Sequence, residues 1–429
     1  MSERASESMS QRQMETERAG ADEAARPVHD NEWWRLAAVV AATVALGLWA
    51  GISVLGIVLA LVVMIFLHEL GHYVTAKAAG MKVTEFFIGF GPRLWSFRRG
   101  ETEYGLKAIP AGAYVKVIGM SNLEEVDPAD EHRTYRQQPY WRRLSVAVAG
   151  SAMHFIMALF LIYTVAVGFG IPRWDVGEVT AESPARAAGL QPGDVLVSAD
   201  GRTFEEFPDF SSYLRDRPGE DVDLVVERDG ATERLSVTLA ERNPDGEAVG
   251  FLGIQADFDR VKEGLITGVG ESFSLTGETM WNSAKGLVSF FSPSGLSGYI
   301  DTLSSSTDTS PSDPGTAVAP ERDAQPDDER VISIFGAVRL AADLGFADVL
   351  AFLFAINVFV GIFNLVPLLP LDGGHVAIAT YERIRSRKGR AYHADVSKLL
   401  PLTYAVVVVL VLVGVTSLYL DIADPISLQ

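Results

Sequence analysis

The hydrophobic pattern of the chain is blocky. Four stretches carry no Asp, Glu, Lys or Arg: 36–67, 144–170, 349–371 and 399–420. A bilayer crossing takes about 20 apolar residues, and each stretch reaches that length. Core helices of a large soluble protein would show polar faces sooner. The pattern therefore predicts a polytopic α-helical membrane protein. The first apolar run, 34–79, is long for one span, and Gly51 lies near the middle of its uncharged part. One long tilted helix or two helices, about 34–51 and 53–79, could cover it; two are expected.

Between the spans the pattern changes. FFIGFGPRLWSF and TEYGLKAIPAGAYVKVIGM, within 80–143, alternate apolar residues with glycines and predict β-hairpins lying against the membrane domain. Residues 174–257 read as short strands, with turn signals at Asp200-Gly201 and Asp229-Gly230. Residues 258–300 form a juxtamembrane helical region, with 264–300 expected as one amphipathic helix. The Ser-, Asp- and Pro-rich stretch 301–330 reads as a flexible linker. A further transmembrane segment covers 346–375, and a C-terminal one covers 399–420.

Charge fixes the expected orientation. The net charge of −19 resides almost wholly in 172–330, which has 31 acidic and 13 basic residues. Basic residues concentrate instead in 80–143 and in 382–390 (ERIRSRKGR). Basic loops stay in the cytoplasm, so the acidic module is expected outside. The polar segment 1–33 lacks the pattern of a cleavable signal and is expected to be a disordered cytoplasmic tail. No basic stripe suggests a nucleic-acid partner; the expected surroundings are the lipid bilayer of the plasma membrane. The chain has no cysteine, so a transition-metal site would use His and carboxylates.

The chemistry-bearing motif is His68-Glu69-Leu70-Gly71-His72 at the inner end of an apolar run. A spacing of four puts two imidazoles on one helical face, where both can reach a zinc ion, and Glu69 is placed to act as general base. Ionisable groups inside a span are costly and mark function. A catalytic zinc takes three protein ligands. Asp372 is the expected third, because Pro367, Pro370, Gly373 and Gly374 prevent a regular helix there and let the carboxylate turn toward the metal. His375 is a rival ligand, read instead as a neighbouring or interfacial residue.

HELGH together with NLVPLLPLDGGH resembles the site-2 protease family of intramembrane zinc metalloproteases, of the regulator-of-sigma-E-protease type. The glycine-rich stretch between them resembles that family's membrane-associated β-hairpin region, and SPARAAGLQPGDVLVSADG resembles its PDZ domain, here single. The resemblance covers most of 55–420. It implies zinc (Zn2+) at His68, His72 and Asp372, with Glu69 as base. It also implies that Asn364 and Pro367 hold an unwound substrate strand, and that the substrate is a transmembrane protein of anti-sigma-factor type, cut after a first cleavage. The implied fold is a polytopic helical membrane protein with a β-hairpin region and an inserted extracytoplasmic PDZ domain, mainly β. The chain departs from many relatives at Gly150-Ser151-Ala152-Met153-His154, which lacks Pro after the glycine and has His in place of Asn. His154 is read as a hydrogen-bonded packing residue, with donation to the oxyanion as the alternative. An inactive PDZ scaffold is disfavoured by the intact Glu69 and third ligand. A cation transporter is disfavoured by the lack of internal repeats.

Overall fold

The computed structural model describes residues 33–120, 124–204, 206–228, 230–244, 246–307, 333–342, 344–386 and 392–423. The expected tail at 1–32 and most of the expected linker, 308–330, lie outside the described residues. Two units divide the chain: one holds the N-terminal part to Phe160 and everything from Thr276, the other holds Leu161–Leu275.

In the first unit the long apolar run is two helices, α1 (Trp33–Ala50) and α2 (Ile52–Ala78). They part at Gly51, whose φ of +94° suits glycine and strains other residues. Next come β1 (Val83–Arg99), β2 (Thr102–Val117) and α3 (Tyr140–Thr164). Among the described residues four helices are long and apolar enough to cross a membrane: Ile52–Ala78, Tyr140–Phe169, Phe346–Asn364 and Val396–Asp421. Their outward side chains are apolar and uncovered, as at Val63, Phe160 and Leu412; lipid tolerates such a surface because the helix satisfies its own backbone.

The β1–β2 pair folds back on itself. Val83–Ile88 faces Ala113–Val117 on one side and Glu85–Ile88 faces Glu103–Leu106 on the other, while Arg93–Arg99 pairs with Thr102–Lys107. Among the described residues Ala113–Val117 is thus paired with a strand on one side only. The sheet is fastened to α2. Tyr73 and Tyr104 share a hydroxyl hydrogen bond of 2.6 Å, and the Phe66 and Phe86 rings meet edge-on at 5.5 Å. Beneath, Ala76, Met81, Val83, Val117, Tyr135 and Val146 form a buried core.

The second unit pairs β3 (Ile171–Val179) with β7 (Ile254–Val261), and orders β4 (Val195–Ala199), β5 (Asp221–Arg228) and β6 (Ala231–Thr238) in a second sheet. Two helices, α4 (Pro184–Ala187) and α5 (Phe207–Arg215), accompany them. Alternation on β5 is clean: Val222, Leu224 and Val226 are buried with Trp174, Phe210 and Leu214, while Asp221 and Asp223 face out. The folded strands run from 171 to 261, wider than the expected 174–257.

Two expectations about helices change. The stretch 264–300 is not one helix: α6 (Thr267–Phe290) ends and α7 (Pro293–Thr307) begins. Pro293 cannot continue a helical hydrogen-bond ladder, but it fits a first turn, and the Ser292 hydroxyl caps that turn by accepting from the Gly295 amide at 3.1 Å. Residues 301–307, expected in the linker, belong to α7. The remaining helices are α8 (Ile334–Ala342), α9 (Phe346–Asn364), α10 (Asp372–Arg385) and α11 (Leu400–Ala423). The expected segment 346–375 is therefore a helix, a break over 365–371 and the start of a second helix.

Two ion-pair groups generate predictions. In the second unit the fully buried Asp194 is gripped by Arg228, Nε to Oδ1 at 2.7 Å and Nη2 to Oδ2 at 2.6 Å. Removing one partner of a buried pair costs about 3–5 kcal/mol. Arg228→Ala should abolish hydrogen-exchange protection across β5; unchanged protection would refute the role. In the first unit, Glu101 in the β1–β2 turn accepts from Arg133 at 2.7 and 2.8 Å and from Lys77 at 2.5 Å. The Arg133 guanidinium, opposed by partial burial and helped by Lys77, holds its carboxyl down at about 2. A depressed carboxyl stabilises the fold above its ordinary value near 4.5, and that stabilisation fades as pH falls toward about 2. The melting temperature of Glu101→Gln should therefore fall less steeply than wild type between those pH values.

Candidate metal centre

The periodicity of α2 places His68 and His72 one turn apart, with their Nε2 atoms 3.2 Å from each other. Asp372, the first residue of α10, reaches both: its Oδ2 lies 3.5 Å from His68 Nε2 and 3.2 Å from His72 Nε2. The three side chains are 12%, 12% and 21% exposed. The buried Oδ2 of Asp372 makes no well-directed hydrogen bond despite these short contacts. This oxygen and the two imidazole nitrogens thus form a compact triangle of donor atoms, each within 3.5 Å of the others.

That geometry fits zinc. Ligand atoms 2.0–2.2 Å from a tetrahedral zinc stand about 3.3–3.6 Å apart, close to the separations found here. Two nitrogens and a carboxylate oxygen are also the donor set such a site uses. Support from surrounding groups is present for one ligand: His72 Nδ1 is 2.8 Å from the Val146 carbonyl, which fixes its tautomer and turns Nε2 toward the cluster. His68 Nδ1 is buried beside Gly150 without a partner in hydrogen-bond geometry.

Glycines make the convergence possible. A methyl on Gly150 would stand 2.3 Å from His68 Cε1 and 2.5 Å from His72 Nε2. One on Gly71 would meet Met153 at 2.6 Å and the Ala149 carbonyl at 2.8 Å, so α2 and α3 touch through bare backbone. Gly373 and Gly374 do the same at the third ligand. Side chains there would fall 2.2 Å from the Val366 carbonyl and 2.7 Å from the Leu369 amide. The break over 365–371 thus folds tightly across the N-terminus of α10 and presents Asp372.

The other sequence candidates are placed as follows. Glu69 is half-buried next to His68, and the Val115 main chain of the sheet reaches its carboxylate. Asn364 is the last residue of α9, and Pro367 stands exposed in the break; neither has a hydrogen bond to the cluster among the described residues. His375 is outside the three-ligand group and meets the Tyr135 ring edge-on at 6.2 Å. His154 is 2% exposed, its ring is 5.0 Å from that of His68, and its Nδ1 lies 3.0 Å from Asn357 Oδ1. Asn357, buried in α9 and donating to the Leu353 carbonyl at 2.8 Å, was missed; its signal was an amide in an otherwise apolar stretch.

Two imidazoles and a carboxylate converging beside a glutamate are the residue types that a metallopeptidase-type centre would use. The comparisons agree. Residues 56–319 and 323–411 match Peptidase family M50. "Zinc metalloprotease Rip1" of Mycobacterium tuberculosis is 33% identical over 412 residues, covering 86% of this chain and 97% of that protein. The protein of the same name in Mycolicibacterium smegmatis is 32% identical over 422 residues, covering 88% and 99%. "Metalloprotease MmpA" of Caulobacter vibrioides is 31% identical over 373 residues, covering 79% and 89%. A solved PDZ domain of the SdrC-like protein from Listeria monocytogenes is 24% identical and covers 20% of this chain and 86% of its own, at a TM-score of 0.18. The chain belongs to peptidase family M50 and is a zinc metalloprotease by class.

Gly150 provides the prediction. Gly150→Ala should push the imidazoles apart and lower metal affinity about 10- to 100-fold, the range for a lost neighbouring support. Equilibrium dialysis of the purified chain would detect this; wild-type affinity would show that the crowding can relax.

Proposed function

We propose that this chain is an intramembrane zinc endopeptidase, in which His68, His72 and Asp372 hold the metal and Glu69 is the general base. One observation carries the reading: three ligand atoms from two separate helices stand 3.2–3.5 Å apart, at the end of a helix long enough to span a membrane. Zinc bound there would supply Lewis-acid polarisation of the scissile carbonyl and lower the pKa of a water. Glu69 takes the proton of the attacking water and passes it to the departing amine nitrogen. Its place one residue from His68 puts the base on the same rigid helix as two ligands.

A helical substrate must unwind first, because its peptide bonds are shielded and internally hydrogen-bonded. Ala113–Val117 supports a route. It is an edge strand with one side unpaired, and Val115 touches Glu69. An extended substrate strand added there would be held by main-chain bonds next to the base. Asn364, just before the break that presents Asp372, and Pro367, within it, are assigned to hold that strand from the other side. The substrate is then the transmembrane segment of a membrane protein, of anti-sigma-factor type, cut after an earlier cleavage in regulated intramembrane proteolysis.

The sheet of 83–117 lies against the membrane on the cytoplasmic side in this reading, where the basic loops are. The acidic unit of 171–261 is a single extracytoplasmic PDZ domain, acting as a ligand-binding module or a size filter. Its paired sheets, short helices and Gly-Leu-Gln-Pro-Gly-Asp turn at 189–194 support that assignment.

Glu69→Gln separates chemistry from binding. It should keep one zinc per chain by elemental analysis yet cleave a transmembrane reporter in proteoliposomes at least about 100-fold more slowly. Full activity in that variant would end the assignment.

A further inference from the structure

A buried ion pair stands apart from the ligands but joins the two helices that frame them. Arg143, in the first turn of α3, and Glu382, in the third turn of α10, are 9% and 3% exposed. Arg143 Nη1 donates to Glu382 Oε2 at 2.6 Å, and the Ala394 amide donates to Oε1, also at 2.6 Å. The guanidinium lies 5.0 Å over the Tyr135 ring, whose hydroxyl donates to the Arg143 carbonyl at 3.2 Å. Arg143 Nε is buried without a partner. A second bond between the same helices joins the Tyr140 and Thr380 hydroxyls at 3.3 Å.

Desolvating two charges costs several kcal/mol per ion, and a well-packed apolar pair often serves stability as well. Stability alone therefore does not account for the pair. Its placement does. Along α3, Arg143 precedes Val146, whose carbonyl holds His72, and Gly150, which backs both imidazoles. Along α10, Glu382 follows Asp372 by ten residues, about 15 Å down a rigid helix. A bond fixed at one end of that lever sets the rotation and depth of the other.

We propose that the Arg143–Glu382 pair is a positioning device for the metal site, docking α10 on α3 so that the Asp372 carboxylate meets the imidazoles of His68 and His72. The inference rests on the metal-site reading above. Neither residue touches the reacting atoms; both act through Asp372.

The probe is Co2+, titrated into the full-length detergent-solubilised chain freed of metal, with affinity and the d–d absorption band as readouts. Glu382→Gln should bind Co2+ about 10- to 100-fold more weakly, with a shifted band, as losses of groups supporting a ligand do. A second variant, R143M/E382M, removes both charges. It should recover the thermal stability of wild type, as apolar replacements of buried pairs do, yet retain the weakened affinity and altered band. If Glu382→Gln fails to fold, the double variant decides alone. Wild-type affinity and spectrum in the folded double variant would overturn the positioning role. Failure of wild type to bind Co2+, or an unchanged titration in His72→Ala, would instead overturn the metal-site reading itself.

Discussion

The structure depends on one constraint: a carboxylate from α10 has to meet two imidazoles of α2 in a place largely shut off from water. Asp372 Oδ2 sits within 3.5 Å of both Nε2 atoms and is buried without a directed hydrogen bond. A buried, unshared carboxylate oxygen is expensive, and a protein keeps one where a cation repays the cost. The glycines follow from this. At positions 71, 150, 373 and 374 any side chain would collide with the backbone or rings that must come together. The convergence is made by removing volume at four points as much as by placing two imidazoles and a carboxylate.

Polar groups elsewhere in the apolar helices obey the same economy. His154 is paired with Asn357, and Asn357 with the Leu353 carbonyl. Arg143 is paired with Glu382. The His154–Asn357 and Arg143–Glu382 pairs bridge helices distant in sequence, so satisfying a buried polar group and fixing a helix contact are there one event. His154 fits the reading of a hydrogen-bonded packing residue, and its ring lies against that of His68. Toward His68, α3 thus presents bare backbone at Gly150 and, one turn on, the hydrogen-bonded ring of His154.

How much of this was legible follows from sequence distance. The two imidazoles were readable because a helical period alone sets their spacing. Asp372 was readable because prolines and glycines flank a lone carboxylate at the end of an apolar stretch. Gly150 was not, because its role is a clash with residues about 80 positions away, which no local pattern encodes. Asn357, Arg143 and Glu382 were hidden for the same reason. The break between α6 and α7 was local and could have been seen: Ser292-Pro293 is a capping residue followed by a first-turn proline, but the apolar periodicity on either side masked it. The strands of 80–143 announced themselves by alternation. Their fold-back did not, because Glu85–Ile88 faces two partners that share the same apolar character.

The fold-back matters for the chemistry. A plain hairpin would leave the far edges of both long strands unpaired along their whole lengths. Here Glu85–Ile88 is enclosed on both sides, and Ala113–Val117 becomes an edge next to α2. The Tyr73–Tyr104 bond and the Phe66–Phe86 contact hold the sheet to the same helix that carries His68, Glu69 and His72. The proposed base, two of the proposed ligands and the edge strand are therefore fastened to one helix, whereas Asp372 is carried by α10. A strand added to that edge would lie beside Glu69, whose carboxylate the Val115 main chain already reaches. The place of Asp372 depends instead on how α10 is docked, and the buried charges of Arg143 and Glu382 dock it on α3.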